Sequence, residues 1–170
     1  MTIEYMADAP ITKEWLEWYG DAWRAYESFL REKKELERRI SLIKGVVYDR
    51  EKISSGHKYI SQQERYVLKL ERKNYEISEC EKFLFPAKKR LIQQLSRLKK
   101  HSWRQVLILF YIERRKLTDI VEYIFELEPD FEEKKDGTYL DTVKRWKREA
   151  IAQLEALNQS SYVPVQTKMF

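Results

Sequence analysis

Apolar residues over positions 15–43 recur at alternating steps of four and three. Trp15, Tyr19, Ala22, Tyr26, Phe29, Leu36, Ile40 and Ile43 follow that spacing, with Lys33 filling the one gap. A strict 4,3 alternation is a heptad seam, so the spacing predicts a long helix starting near Ile11 or Thr12, just after Pro10. Its first half is aromatic and bulky; its second half, REKKELERRI, has the charge of a solvated coiled-coil flank. Residues 45–58, with Gly45, Ser54, Ser55 and Gly56, break the pattern and predict a loop or hinge. A second seam runs from about Tyr59 toward Leu84 through Ile60, Val67, Leu70, Ile77 and Leu84, weakened by Gln63, Asn74 and Glu81. Pro86 predicts a kink or a fresh helix start, because it lacks an amide donor and crowds the preceding turn. The apolar spacing resumes at Leu91, Leu95 and Leu98.

The C-terminal part reads as three shorter helices. Ser102-Trp-Arg-Gln105 has the form of a capping box before the apolar run Val106, Leu107, Leu109, Phe110 and Ile112. Arg114-Arg-Lys-Leu117 reads as a turn, and Ile120, Val121, Ile124 and Phe125 as a second helix. The stretch from Glu126 to Gly137 is acidic and broken by Pro129. Thr138-Tyr-Leu-Asp141 then opens a last helix, over about 139–157, whose inward face is Leu140, Val143, Lys147, Ala150, Ile151, Leu154 and Leu157. The tail from Asn158 reads as frayed. The expected fold is therefore all-α: a long coiled-coil-like arm over 1–100, a small helix-turn-helix module over 101–157 and a flexible tail over 158–170.

Composition supports helices and narrows the function. Four Gly and four Pro in 170 residues leave too few turns for a β-sandwich or a doubly wound sheet. One cysteine, Cys80, forms no intrachain disulfide and suits a reducing compartment. No apolar run reaches the roughly 20 residues of a membrane helix, and the N-terminal residues lack the character of a signal peptide. We therefore expect a protein of the cytoplasm with no membrane partner. Two histidines and one cysteine show no metal-ligand spacing, no Gly-rich phosphate loop is present and no nucleophile stands beside a base. The expectation is a non-enzymatic protein without metal or cofactor.

Charge points toward nucleic acid, but unevenly. Residues 31–100 carry 20 basic and 10 acidic side chains, whereas residues 101–157 carry 10 basic and 12 acidic. In the first segment Lys88, Lys89 and Arg90, followed by Arg97, Lys99 and Lys100, read as a solvated face or as a phosphate-contacting stripe. In the last helix Asp141, Thr142, Lys144, Arg145 and Arg148 fall on the outward face. Arginines there suit guanine edges and lysines suit phosphates.

Three stretches carry a family resemblance: Leu109-Phe-Tyr-Ile-Glu113, Leu117-Thr-Asp-Ile120 and Thr142-Val-Lys-Arg-Trp-Lys-Arg-Glu-Ala-Ile-Ala-Gln-Leu154. Together they resemble region 4 of bacterial sigma factors, and more closely the sigma-region-4-like module of phage and prophage regulators of the ArpU and RinA kind. The Ser/Gly-rich break Tyr48–Gly56 is similar to one in the helical part of those proteins, so the resemblance covers roughly residues 40–157. It implies a helix-turn-helix that binds double-stranded DNA and controls phage late or packaging genes. RNA polymerase or another protein would be a further partner, and a homodimer paired through the heptad helices would read two half-sites. Three positions depart from the pattern: Arg114 stands where that turn usually has Gly, Lys116 near a small capping residue, and the 126–137 loop replaces a link of three or four residues. The acidic loop leaves a second reading open, a coiled-coil protein-interaction module acting as adaptor or inhibitor of a polymerase, nuclease or packaging protein. That reading expects Lys144, Arg145 and Arg148 to pair with carboxylates such as Glu132 and Glu133, and it suits an aromatic N-terminal face of Trp15, Trp18, Tyr19, Trp23 and Tyr26. Whether the long helices pair within one chain or between two is open at this point.

Overall fold

The computed structural model describes residues 6–44 and 61–160. The expected 45–58 break and the tail beyond 160 lie outside them. Among the described residues there are six α-helices and no strand. They are α1 (Lys13–Lys44), α2 (Gln62–Leu95), α3 (His101–Leu107), α4 (Leu117–Phe125), α5 (Phe131–Lys134) and α6 (Thr138–Ser160); a π-helical turn, Ile108–Ile112, prolongs α3. None of them is long and apolar enough to cross a membrane.

The chain divides into two compact units, residues 21–84 and residues 1–20 with 85–170. The first is a helical hairpin. Tyr26 donates a 2.8 Å hydrogen bond to Glu81, Lys73 pairs with Glu32 at 2.6 Å, and Arg39 lies 5.8 Å from the Tyr66 ring centre. Partner numbers fall on α2 as they rise on α1, so the helices are antiparallel and the two seams meet within one chain. Tyr26, Ile77 and Leu84 form the buried seam, flanked by Ala22, Trp23, Phe29 and Cys80. Asn74 is exposed, so this polar seam position marks a wet stretch. Both helices begin on side-chain caps. Thr12 Oγ1 accepts the Trp15 amide at 3.2 Å. Ser61 and Glu64 form a reciprocal box at 3.2 and 3.1 Å, so α2 starts at Gln62.

The fresh helix start, one of the two outcomes expected at Pro86, is not observed: α2 runs through it to Leu95. Pro86 and Lys82, whose carbonyl loses its amide donor there, are both on the exposed face, where water can serve that oxygen. The unit boundary falls one residue earlier, between Leu84 and Phe85.

In the second unit Ile11, Trp15, Leu16, Leu91, Leu95, Leu98 and Leu154 are buried. Its N-terminal segment is tied at several points. Arg90 donates to the carbonyls of Ala7, at 2.7 Å, and Ala9. The Lys13 amide donates to Glu155 at 2.8 Å, and Asn158 donates to the carbonyls of Ile11 and Leu154, both at 3.0 Å. Asn158 therefore belongs to α6 and not to a frayed tail. Around Val106, Leu109, Ile120, Val121 and Val143, helices α3, α4 and α6 share a core. Phe125 stacks on Tyr139 at 4.2 Å and on Trp146 at 5.8 Å between ring centres, which closes that core toward α5.

Candidate nucleic-acid interface

The turn between α3 and α4 sets the spacing of the C-terminal helices. The π-helical turn ends in a bond from the Glu113 amide to the Ile108 carbonyl at 2.9 Å, and Arg115 reaches back to Leu109 at 2.9 Å. Between them Arg114 has φ +59°, the left-handed region where a side chain costs energy and glycine does not. The turn is thus held with a non-glycine residue at a local cost. Lys116 is extended and α4 starts at Leu117 without a side-chain cap. The expected box at Ser102 does not form either. Lys100 stands at the N-cap of α3, and Arg104 turns back onto the carbonyls of Leu98 and, at 3.2 Å, Lys99.

The stretch Glu126–Gly137 contains α5 and is held down. Phe131 packs on the core, Tyr139 donates its hydroxyl to Asp130, and Lys134 pairs with Asp130 at 2.5 Å. Those two partners hold the Asp130 carboxyl below its ordinary range, and Asp130 pushes the Tyr139 phenol up to about 12. Glu132 pairs with Lys135 at 2.8 Å. Gly137, not Thr138, flanks the start of α6: its carbonyl accepts the Asp141 amide at 2.9 Å.

Along α6, Val143, Ala150 and Leu154 are fully buried, while Asp141, Lys144, Arg145 and Arg148 are exposed. Arg145 lies 3.9 Å from Glu149, which already accepts the Trp103 indole N–H at 3.2 Å. Among the described residues Lys144 and Arg148 have no carboxylate partner. The pairing with Glu132 and Glu133 that an adaptor would use is absent among them. Thr142 is less exposed than the other expected residues of α6. It is half-buried and its hydroxyl donates to the Thr138 carbonyl at 2.7 Å.

The basic run on α2 separates likewise. Lys89 is exposed and Lys88 half-buried, but the Arg90 guanidinium is committed to backbone carbonyls beside the Trp15 ring. Burial lowers its affinity for a proton, with Asp8 opposing. Arg90 therefore ties down the N-terminal segment and is not placed to meet a phosphate.

Two residues outside the expected set complete the surface. Leu117 and Lys147 line an open depression of about 440 Å3 with Asp141, Lys144 and Arg148. Lys147 sits on the inward flank of α6, its ammonium 3.8 Å from the Phe110 ring centre and 5.7 Å from that of Tyr111. Burial pushes its ammonium below the usual lysine range; Lys13 adds to this and Glu17 opposes it. A lysine at an inward position of an amphipathic helix is itself the signal that could have marked it. Among the described residues no group of three or more metal-ligating side chains is assembled. No protein-family model, curated protein or solved structure matches the chain.

Proposed function

We propose that the chain is a sequence-specific, DNA-binding transcriptional regulator in which α3, α4 and α6 act as a helix-turn-helix and α6 enters a major groove. The single observation that carries this is the division of α6 into a fully buried flank and an exposed flank whose Lys144 and Arg148 have no carboxylate partner among the described residues. A recognition helix must be anchored by one side and present uncommitted donors on the other. Arg145 suits a base edge, Arg148 a base edge or a backbone clamp, and Lys144 a phosphate, with Lys88 and Lys89 adding nonspecific attraction. Asp141, in the first turn of α6, favours the helix start and discriminates among bases through their amino groups.

The assignment to phage late or packaging genes in a bacterial cytoplasm, with RNA polymerase as a protein partner, rests on the sigma-region-4 resemblance. A homodimer is the expectation that the heptad spacing raised. The heptad seams are used within the chain, so its contact would lie elsewhere, and it predicts two related half-sites. The test is binding of the purified chain to duplex fragments from its own genomic neighbourhood at two salt concentrations. Tight binding to one fragment, weakened by salt, is expected. Absence of binding to any fragment overturns the reading in favour of a protein-interaction module.

A further inference from the structure

We propose that the depression beside α4 is a socket for one phosphate group, with Lys147 as its inner cation and Lys144 and Arg148 at its rim. The proposal deepens the DNA reading, on which it rests for its natural ligand. Three cations and one carboxylate line the depression, and Leu117 supplies its apolar wall. Lys144 and Arg148 are one helical turn apart, so they repel each other. Asp141 lies on the same rim and forms no ion pair with them among the described residues. A solvated charged face ordinarily places a carboxylate between such cations; here the positive charge is left for something outside the chain to meet.

Lys147 distinguishes the depression from a mere patch. Its ammonium is held on the Phe110 ring and half removed from water while its neighbours are exposed. A fixed, partly desolvated cation gains more from an anion than a mobile surface lysine does. Leu117 is the first residue of α4, and no side chain caps that helix start. Its amides therefore favour the same charge. An oxyanion with several acceptor oxygens and a planar guanidinium at the rim are well matched, which favours phosphate.

The source of the phosphate is either the DNA backbone or a free phosphorylated compound, and one experiment separates them. Lysines of the full-length chain are acylated at limiting reagent and quantified by mass spectrometry, with exposed Lys34 as the reference. Inorganic pyrophosphate and duplex DNA are the probes. Pyrophosphate is expected to slow acylation of Lys147 severalfold, to leave Lys34 unchanged, and to lose its effect in Arg148→Ala. Protection by both probes assigns the phosphate to DNA. Protection by pyrophosphate alone supports the socket and assigns it to a free compound, whatever becomes of the DNA reading. Protection by DNA alone reports shielding under a duplex and overturns the socket, as does protection by neither. A second variant, Lys147→Met, keeps the aliphatic stem on Phe110. Where the phosphate is DNA's, the variant is expected to lower the salt dependence of DNA binding by about one released ion, equally on all sequences; an unchanged slope after protection by both probes contradicts the assignment to DNA.

Discussion

The hairpin of residues 21–84 and the helix α6 both carry many cations, yet they use them differently. In the hairpin Glu35 accepts from Arg38 and Arg39, Lys82 pairs with Glu79, and Lys73 bridges Glu32 and Glu76 over the Phe29 ring. The two guanidiniums hold the Glu35 carboxyl down to about 2. On α6, Lys144 and Arg148 have no such partner among the described residues. Part of the basic surplus of 31–100 is therefore met within the hairpin, while the net-negative 101–157 segment still presents two exposed cations without a carboxylate partner among the described residues. On the proposed reading, pairing as well as charge count distinguishes a solvated face from a recognition surface.

Substitutions on α6 can break this comparison most sharply. Leu154→Ala removes a fully buried side chain and is expected to cost about 2–5 kcal/mol by denaturant unfolding. Lys144→Ala, on the opposite flank, is expected to stay within about 0.5 kcal/mol of the parent while weakening DNA binding. Equal stability losses would mean that α6 has no free face.

The hairpin offers the converse. Lys73 is only 15% exposed and touches two carboxylates and a ring, so Lys73→Met is expected to cost about 1 kcal/mol of stability and leave DNA affinity unchanged. A loss of DNA binding there would return the hairpin to the interface.

Arg114 sharpens the picture of the turn that spaces α3 from α4. Relieving its left-handed backbone in Arg114→Gly is expected to raise stability by about 0.5–1 kcal/mol, whereas the branched Arg114→Val lowers it. Thermal melts of the pair read the sign. If both variants destabilise, side-chain contacts of Arg114 outweigh the backbone.

The smallest effect is in acid. Asp130 is held below its ordinary value of 3.8 by Lys134 and Tyr139. A depressed carboxyl contributes stability that is complete above the unfolded value and is lost as pH falls through the folded one. Carbon-detected NMR titration is expected to place the Asp130 midpoint below 3.8 and to move it upward in Tyr139→Phe. An unmoved midpoint would release the 126–137 stretch from α6.

Much of the helical framework was legible because burial repeats at helical spacing. Tyr26, Ile77, Leu84, Val143, Ala150 and Leu154 are buried where the three apolar spacings put them. What was not legible depends on contacts distant in sequence or on a choice between local alternatives. Arg90 looks like Lys89 in a basic run; only the carbonyls of Ala7 and Ala9, some eighty residues away, distinguish it. Ser61 and Ser102 both precede a Glu or Gln by three residues, but only Ser61 stands at a helix boundary and caps. The π-helical turn has no local signature, and it lies where Phe110 and Tyr111 meet Lys147.

The central claim is that the exposed flank of α6, and not the more basic hairpin, meets DNA. Its most direct test compares the affinity of two triple variants for the fragment the parent chain selects. One is Lys144→Ala, Arg145→Ala and Arg148→Ala; the other is Arg31→Ala, Arg39→Ala and Arg72→Ala. Because the proposal gives the first set a base-reading guanidinium and two phosphate contacts, the α6 variant is expected to bind at least about thirtyfold more weakly, and the hairpin variant within a few-fold of the parent. Equal effects, or a larger drop in affinity for the hairpin variant, would contradict the account.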